Sequence, residues 1–322
     1  MAYLLLLVGF VILIKGADLL VEGASSGAKR LGIPPIVIGL TIVAFGTSMP
    51  ELIVNIFAST RGNTDIAIGN ILGSNIANIL LILGISATIY PLAVKRSTTW
   101  KEIPLSLLAA VLVAFMANDA IIDGGTFSAL TRIDGLVLLS FFIIFLYYIY
   151  GLSQSALVEN AEAGIHKRTL PIALLMTFSG LICLTLGGKW VVDSAIAIAK
   201  TLGISESLIG LTIVAIGTSL PELATSAVAA YKKNADIAVG NIVGSNIFNI
   251  FWILGISATI TPLPFAPILL RDIFMTILAS LLLFIFMFIG KKHLLERWQG
   301  VGFILIYLAY IALLVTQELG VS

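Results

Sequence analysis

The chain contains one long stretch twice. Residues 33–91 and 204–262 align without a gap at a constant offset of 171, and 37 of the 59 aligned positions are identical. Both copies carry "GLTIVA" (from 39 and 210), "GTS" followed by "PEL" (from 46 and 217), "GN" (69 and 240) and "GSNI" (73 and 244). Such self-similarity sets the architecture before any single element is considered, and the solvent around it comes next. Of 322 residues 59% are apolar and 11% charged, and the mean hydropathy is +1.10, far from the habits of soluble domains. Apolar segments recur near 3–27, 33–59, 66–90, 103–118, 134–152, 170–199, 205–230, 237–261, 269–290 and 298–317. A helix of roughly 20 residues crosses about 30 Å of hydrocarbon, whereas the short alternating strands of a membrane barrel are absent. The sequence therefore predicts an all-α integral membrane protein with ten transmembrane helices.

The spans group as a first repeat over 1–152, a cytoplasmic linker over 153–169, and a second repeat over 170–322. Five spans per repeat is an odd number, so a second half threaded like the first enters the bilayer from the opposite side, and the repeats are inverted. Basic residues fix the orientation, because short cytoplasmic loops collect Lys and Arg. One side holds Lys29, Arg30, Lys95, Arg96, Lys101, Lys167, Arg168, Lys232, Lys233, Lys291, Lys292 and Arg297; the other holds only Arg61, Arg132, Lys200 and Arg271. The first side is expected to be cytoplasmic, with both termini outside. Met1 to Ile14 lacks a basic n-region and a small-residue cleavage site, and reads as the first span rather than a signal peptide.

Several function classes fall away. A net charge of +1 gives no footprint for nucleic acid. The single cysteine, Cys183, lies in an apolar helix, which excludes disulfides and thiolate metal sites. No GxxxxGK[ST] segment is present, so a nucleotide-driven pump lacks its apparatus. An enzyme is not expected, nor an organic cofactor, and nothing in the sequence requires an oligomer.

What remains is polar chemistry at membrane depth. Glu51 and Glu222 occupy matching positions inside apolar spans, and a carboxylate at a helix centre costs on the order of 2.5–3.5 kcal/mol to insert. Thr47 and Glu51 share a helix face, as do Ser74 with Asn78, Thr218 with Glu222, and Ser245 with Asn249. Pro50 and Pro221 supply no N–H, so the carbonyls of Gly46 and Gly217 lose helical partners and the helix bends or breaks there. Carbonyls near Ala44, Thr47, Ala215 and Thr218 then become available to a cavity. Gly73 and Gly244 mark either an unwound turn or close helix packing. Breaks are thus expected in helices 2, 3, 7 and 8. The donor set is all oxygen, which suits hard cations such as Ca²⁺ or Na⁺ rather than Zn²⁺ or Cu⁺. Inverted repeats with broken helices and a midplane site describe a secondary transporter.

"GTSMPE" with "GNILGSNIANI", and "GTSLPE" with "GNIVGSNIFNI", resemble the two α-repeats of the cation/calcium exchanger superfamily, most closely prokaryotic sodium/calcium exchangers. The resemblance covers essentially the whole chain. It implies Ca²⁺ bound centrally by Glu51 and Glu222 with the carbonyls of Thr47 and Thr218. It also implies one Na⁺ site using Ala44, Thr47, Glu51, Ser74 and Ser219, and a mirror site using Ser48, Ala215, Thr218, Glu222 and Ser245. Asn78 and Asn249 would face the middle of the cluster. Exchange of three Na⁺ for one Ca²⁺ is the family expectation, with helices one and six sliding past the other eight in a cell (inner) membrane. Some relatives and the potassium-dependent branch carry aspartate at the position of Asn249, so this chain leans towards potassium-independent exchange. Proton coupling usually accompanies a "GNAVE"-like cassette in place of "GTSxPE". An ion channel is the competing class, although a selectivity filter usually draws on several subunits.

Other polar residues carry structural expectations. Asp65 and Asp236 are expected to cap the third and eighth helices; His166 and His293 are expected in solvated loops. Asp18, Glu22 and Asp193 either line an ion passage or are paired, and Tyr147, Tyr148 and Tyr150 fit an interfacial aromatic belt.

Overall fold

A computed structural model describes residues 2–122, 124, 127–155, 168–202 and 215–318. In chain order the principal helices are α1 (Ala2–Leu31), α2 (Pro35–Thr47), α3 (Met49–Thr60), α4 (Thr64–Ile89), α5 (Arg96–Met116), α6 (Arg132–Ser155), α7 (Leu170–Thr201), α8 (Leu220–Tyr231), α9 (Ala235–Ile260), α10 (Leu270–Phe286) and α11 (Arg297–Glu318). Among the described residues eight helices are long and apolar enough to cross a membrane, and the bent pair α2–α3 makes a ninth. The expected span at 205–230 begins in residues outside the described set; its described part is the turn Ala215–Gly217 followed by α8.

α2 and α3 are bent by 46° at Ser48. Ser48 leaves the helical basin at φ −84°, ψ 7°, and Ser219 does the same before α8 at φ −86°, ψ 6°. The following prolines, Pro50 and Pro221, sit in the first turn of α3 and α8, where an absent N–H leaves nothing unsatisfied. Each copy of the repeated stretch therefore stops one helix and starts another at the same serine, as the prolines require.

Helices 3 and 8 depart from expectation. α4 and α9 are not broken at Gly73 or Gly244; each runs continuously, loosening into a wider π-turn over Ala77–Leu83 and Phe248–Leu254. The reason at Gly244 is packing: a β-carbon there would stand 2.9 Å from the Leu40 backbone and 2.8 Å from the Ala44 methyl. These two helices are the innermost. Of their apolar windows 72% and 94% are buried, against 39% or less for the other long helices. Two antiparallel bridges pin the ends of the repeated stretch to the opposite half of the chain. β1 (Leu92–Ala93) pairs with β4 (Leu294–Leu295), and β3 (Leu263–Pro264) pairs with β2 (Ala129–Leu130).

α1 and α7 lie against each other over most of their length, antiparallel and backbone to backbone. A β-carbon built at Gly180 would meet the Leu20 nitrogen at 2.6 Å, and one at Gly187 would meet the Leu13 nitrogen at 2.7 Å. Gly16 and Gly23 face Leu184 and Thr177 backbone just as closely, at 2.8 and 2.7 Å. In a medium where apolar burial drives little association, small residues let dispersion and backbone contact hold helices together. From this pair Leu181 and Val192 of α7 lean directly on Gly46 and Gly217, the residues just before the two breaks.

Charged residues at the helix ends are largely paired. Asp18 meets Lys232 at 2.6 Å and Glu22 meets Arg168 at 3.0 Å, while Asp193 is exposed on α7. The expectation for Asp65 and Asp236 is corrected: the N-cap residues are Asn63 and Asn234, the latter accepting from the Ile237 N–H at 3.3 Å. Asp236, within the first turn, instead pairs with Lys95 at 2.7 Å. His293 is not simply solvated; its ring Nδ1 lies 3.0 Å from the Thr99 hydroxyl and its backbone adopts φ 58°. His166 is outside the described residues. Tyr147 and Tyr150 are exposed, as an aromatic belt demands, but the Tyr148 hydroxyl turns inward and donates to the buried Glu102 carboxylate.

Candidate functional site

Both breaks deliver a glutamate to the interior. Glu51 and Glu222 stand in the first turn of α3 and α8 and are buried. A helix N-terminus offers partial positive charge to a carboxylate, which offsets part of the insertion cost. The two carboxyl groups lie close enough to interact electrostatically. Among the described residues no Lys or Arg forms an ion pair with either.

Hydroxyls surround them from several helices. Ser48 donates to Glu222 Oε1 at 3.1 Å, so the break in one copy binds the glutamate of the other. Ser74 on α4 and Ser245 on α9 donate to Oε1 of Glu51 and Glu222 at 3.5 and 3.4 Å. The Thr218 hydroxyl flanks Glu51, and that of Thr47 flanks Glu222. Ser219 is buried at the N-cap of α8, and Ala44 is fully buried one turn before Ser48. Asn78 and Asn249 sit in the π-turns, whose wider winding moves them relative to Ser74 and Ser245. The twelve residues singled out from the sequence thus fall on the two breaks and the two innermost helices; of Ala215 only the backbone is described.

The cluster leaves a particular set of oxygens over. Glu51 Oε2, Glu222 Oε2, Asn78 Oδ1, Asn249 Oδ1 and Ser219 Oγ are all buried with no hydrogen-bond partner. An unpartnered buried polar atom costs about 1–3 kcal/mol, more when charged, and native interiors hold few of them. Here five such oxygens come from the breaks and the two innermost helices, and an all-oxygen donor set of this kind could hold a hard cation. The Ala44 carbonyl, by contrast, already accepts the Ser48 N–H at 3.0 Å and lies 3.3 Å from the Thr47 hydroxyl.

Four further asparagines join the site. Asn78 Nδ2 donates to Asn246 Oδ1 and Asn249 Nδ2 donates to Asn75 Oδ1, both at 2.9 Å, a reciprocal pair between α4 and α9. Thr47 donates to Asn241 Oδ1 at 3.0 Å, and Thr218 to Asn70 Oδ1 at 3.4 Å. Their signal was present in "GN" and "GSN", identical in both copies. Neither motif identifies a partner, because every one of these bonds runs between the copies.

These observations define a multi-pass membrane protein with a buried, oxygen-lined acidic centre built equally from two homologous segments. The profile of the sodium/calcium exchanger protein family matches residues 1–151 and 172–316. The chain belongs to that family, among the prokaryotic sodium/calcium exchangers of the cation/calcium exchanger superfamily. It is 40% identical over 314 residues to the inner membrane protein YrbG of Escherichia coli, covering 95% of this chain and 93% of that one. It is 35% identical over 350 residues to the sodium/calcium exchanger MaX1 of Methanosarcina acetivorans, covering 97% and 98%. A solved structure of the sodium-calcium exchanger NCX_Mj, soaked with Na⁺ and Sr²⁺, superposes with a TM-score of 0.82 at 35% identity, covering 97% of this chain and 99% of that one.

Proposed function

We propose that the chain is a secondary antiporter that exchanges three Na⁺ for one Ca²⁺ across a prokaryotic inner membrane by alternating access. The observation that carries this reading is the pair of buried, symmetry-matched glutamates with one unpartnered oxygen each. Glu51 and Glu222, with the carbonyls of Thr47 and Thr218, form the Ca²⁺ site, where two carboxylates neutralise one divalent ion. Two of the three Na⁺ occupy flanking sites, one using Ala44, Thr47, Glu51, Ser74 and Ser219, the other Ser48, Ala215, Thr218, Glu222 and Ser245. The oxygens of Asn78 and Asn249 face the centre. The Asn249 amide donates to Asn75, a bond an aspartate makes only when protonated, which supports potassium-independent exchange. Likeness to MaX1 and NCX_Mj, both named as sodium/calcium exchangers, supports the choice of ions.

The test is Ca²⁺ uptake into Na⁺-loaded proteoliposomes, repeated with internal K⁺, internal choline and an imposed pH gradient. Uptake is expected only with internal Na⁺, and without added K⁺. Uptake driven equally well by choline-loaded vesicles with a proton gradient would replace Na⁺ coupling by proton coupling, and uptake needing no counter-ion would indicate a channel.

The same reading places ten spans in two inverted repeats, 1–152 and 170–322, joined by a cytoplasmic linker over 153–169. The start of α1 and the end of α11 lie outside. With Cys183 replaced, cysteines introduced at Ser153 or Lys232 are expected to react with an impermeant maleimide only from the cytoplasmic face, and at Asn63 only from outside. Labelling of Asn63 and Lys232 from one face would end the inverted arrangement.

A further inference from the structure

The Thr47 hydroxyl has one proton; it flanks the Glu222 carboxylate, and two acceptors lie within hydrogen-bond distance. One is the Ala44 carbonyl at 3.3 Å, three residues back; the other is Asn241 Oδ1 at 3.0 Å, from α9. The Ala44 carbonyl has two lone pairs, and the Ser48 N–H already takes one at 3.0 Å. If the hydroxyl proton took the second, that carbonyl would have none left for an ion. Bonds of this kind from Thr to a preceding carbonyl recur in these helices, as at Thr41, Thr88 and Thr259, so keeping that carbonyl open requires another acceptor for the proton.

Asn241 is fully buried and its orientation is fixed. Its Nδ2 donates to the Ser226 hydroxyl at 2.9 Å and to the Glu222 carbonyl at 3.4 Å. A carbonyl can only accept, which holds the amide nitrogen on that side and turns Oδ1 towards Thr47. We propose that Asn241 is a positioning residue for Na⁺: it takes the Thr47 hydroxyl proton, keeping the Ala44 carbonyl and the Thr47 oxygen lone pairs open to the ion. It touches no transported ion itself. Asn70 holds the matching place against Thr218 less firmly, at 3.4 Å and with its own Nδ2 unpartnered. The two Na⁺ half-sites are therefore unequal, and the one containing Ala44 is the better organised.

This inference rests on the assignment of Ala44 to a Na⁺ site. The full-length protein in proteoliposomes is assayed twice: for the Na⁺ concentration that half-saturates Na⁺-driven Ca²⁺ flux, and for the Ca²⁺ concentration that half-saturates Ca²⁺/Ca²⁺ self-exchange without Na⁺. Asn241→Ala is expected to raise the Na⁺ value about fivefold, the weight of one net hydrogen bond, and to leave the Ca²⁺ value within about twofold. Asn70→Ala is expected to raise the Na⁺ value too, by a smaller factor, and it carries the test if Asn241→Ala is not recovered folded. A purely structural role would move both ions together. Unchanged Na⁺ half-saturation in the recovered variants, or parallel shifts for Na⁺ and Ca²⁺, overturns the proposal. Retained Na⁺-driven flux in Glu51→Gln and Glu222→Gln would instead overturn the underlying site assignment.

Discussion

Replacing either glutamate by glutamine, Glu51→Gln or Glu222→Gln, is expected to abolish Na⁺-dependent Ca²⁺ uptake while the protein still inserts and folds. Glutamine keeps the shape, the side-chain carbonyl oxygen and an acceptor for Ser74 or for Ser48 and Ser245. What changes is charge. The pair at −2 cancels Ca²⁺, whereas a single carboxylate leaves one positive charge uncompensated inside a buried cluster. An unmatched buried charge costs roughly 3–5 kcal/mol, a loss of two to three orders of magnitude in affinity at about 1.4 kcal/mol per decade. Uptake by each purified variant, compared with its elution as a monodisperse species in detergent, is the measurement. Near-normal uptake in either one would sink the central-site assignment.

Transport is also expected to move net charge. With both glutamates ionised, the site carries zero with one Ca²⁺ and +1 with three Na⁺. A potential of 100 mV acting on one charge is worth about 2.3 kcal/mol, so the effect is large. In Na⁺-loaded vesicles, Ca²⁺ entering as three Na⁺ leave exports one positive charge, and an inside-positive K⁺-diffusion potential set with an ionophore should accelerate uptake. In a cell with a negative interior the same balance favours Na⁺ entry and Ca²⁺ exit. Uptake indifferent to potential, with the potential checked by a dye, would show that the three-for-one ratio is wrong.

Much of this was legible in the residues, and the reason is the duplication. A lone Glu51 would have been ambiguous; the same glutamate, proline and hydroxyls at a fixed offset made the breaks and the acidic centre readable. Pro50 and Pro221 announced their bends because a missing donor is a local fact. What was not legible depended on contacts between the copies. Gly244 gave no sign of whether it loosens a helix or admits a neighbour until Leu40 and Ala44 were found against it. Asn234, not Asp236, caps α9, because the helix starts at Ala235 and carries Asp236 inside its first turn, where it meets Lys95. Asn241 and Asn70 were visible as "GN", yet only the fold reveals which threonine each one holds.

The backbone contact between α1 and α7 bears on how such a carrier avoids waste. An antiporter whose inner and outer gates moved separately would sometimes stand open at both ends, and the sodium gradient would short-circuit through it with nothing carried in return. α1 and α7 leave no room to interleave a side chain, since even a methyl group at Gly180 would collide with Leu20. Leu181 and Val192 ride on this one helix, α7, over both breaks, so under the alternating access proposed above a shift of α7 would act on both glutamate-bearing breaks at once, tying the two sides by geometry rather than by timing.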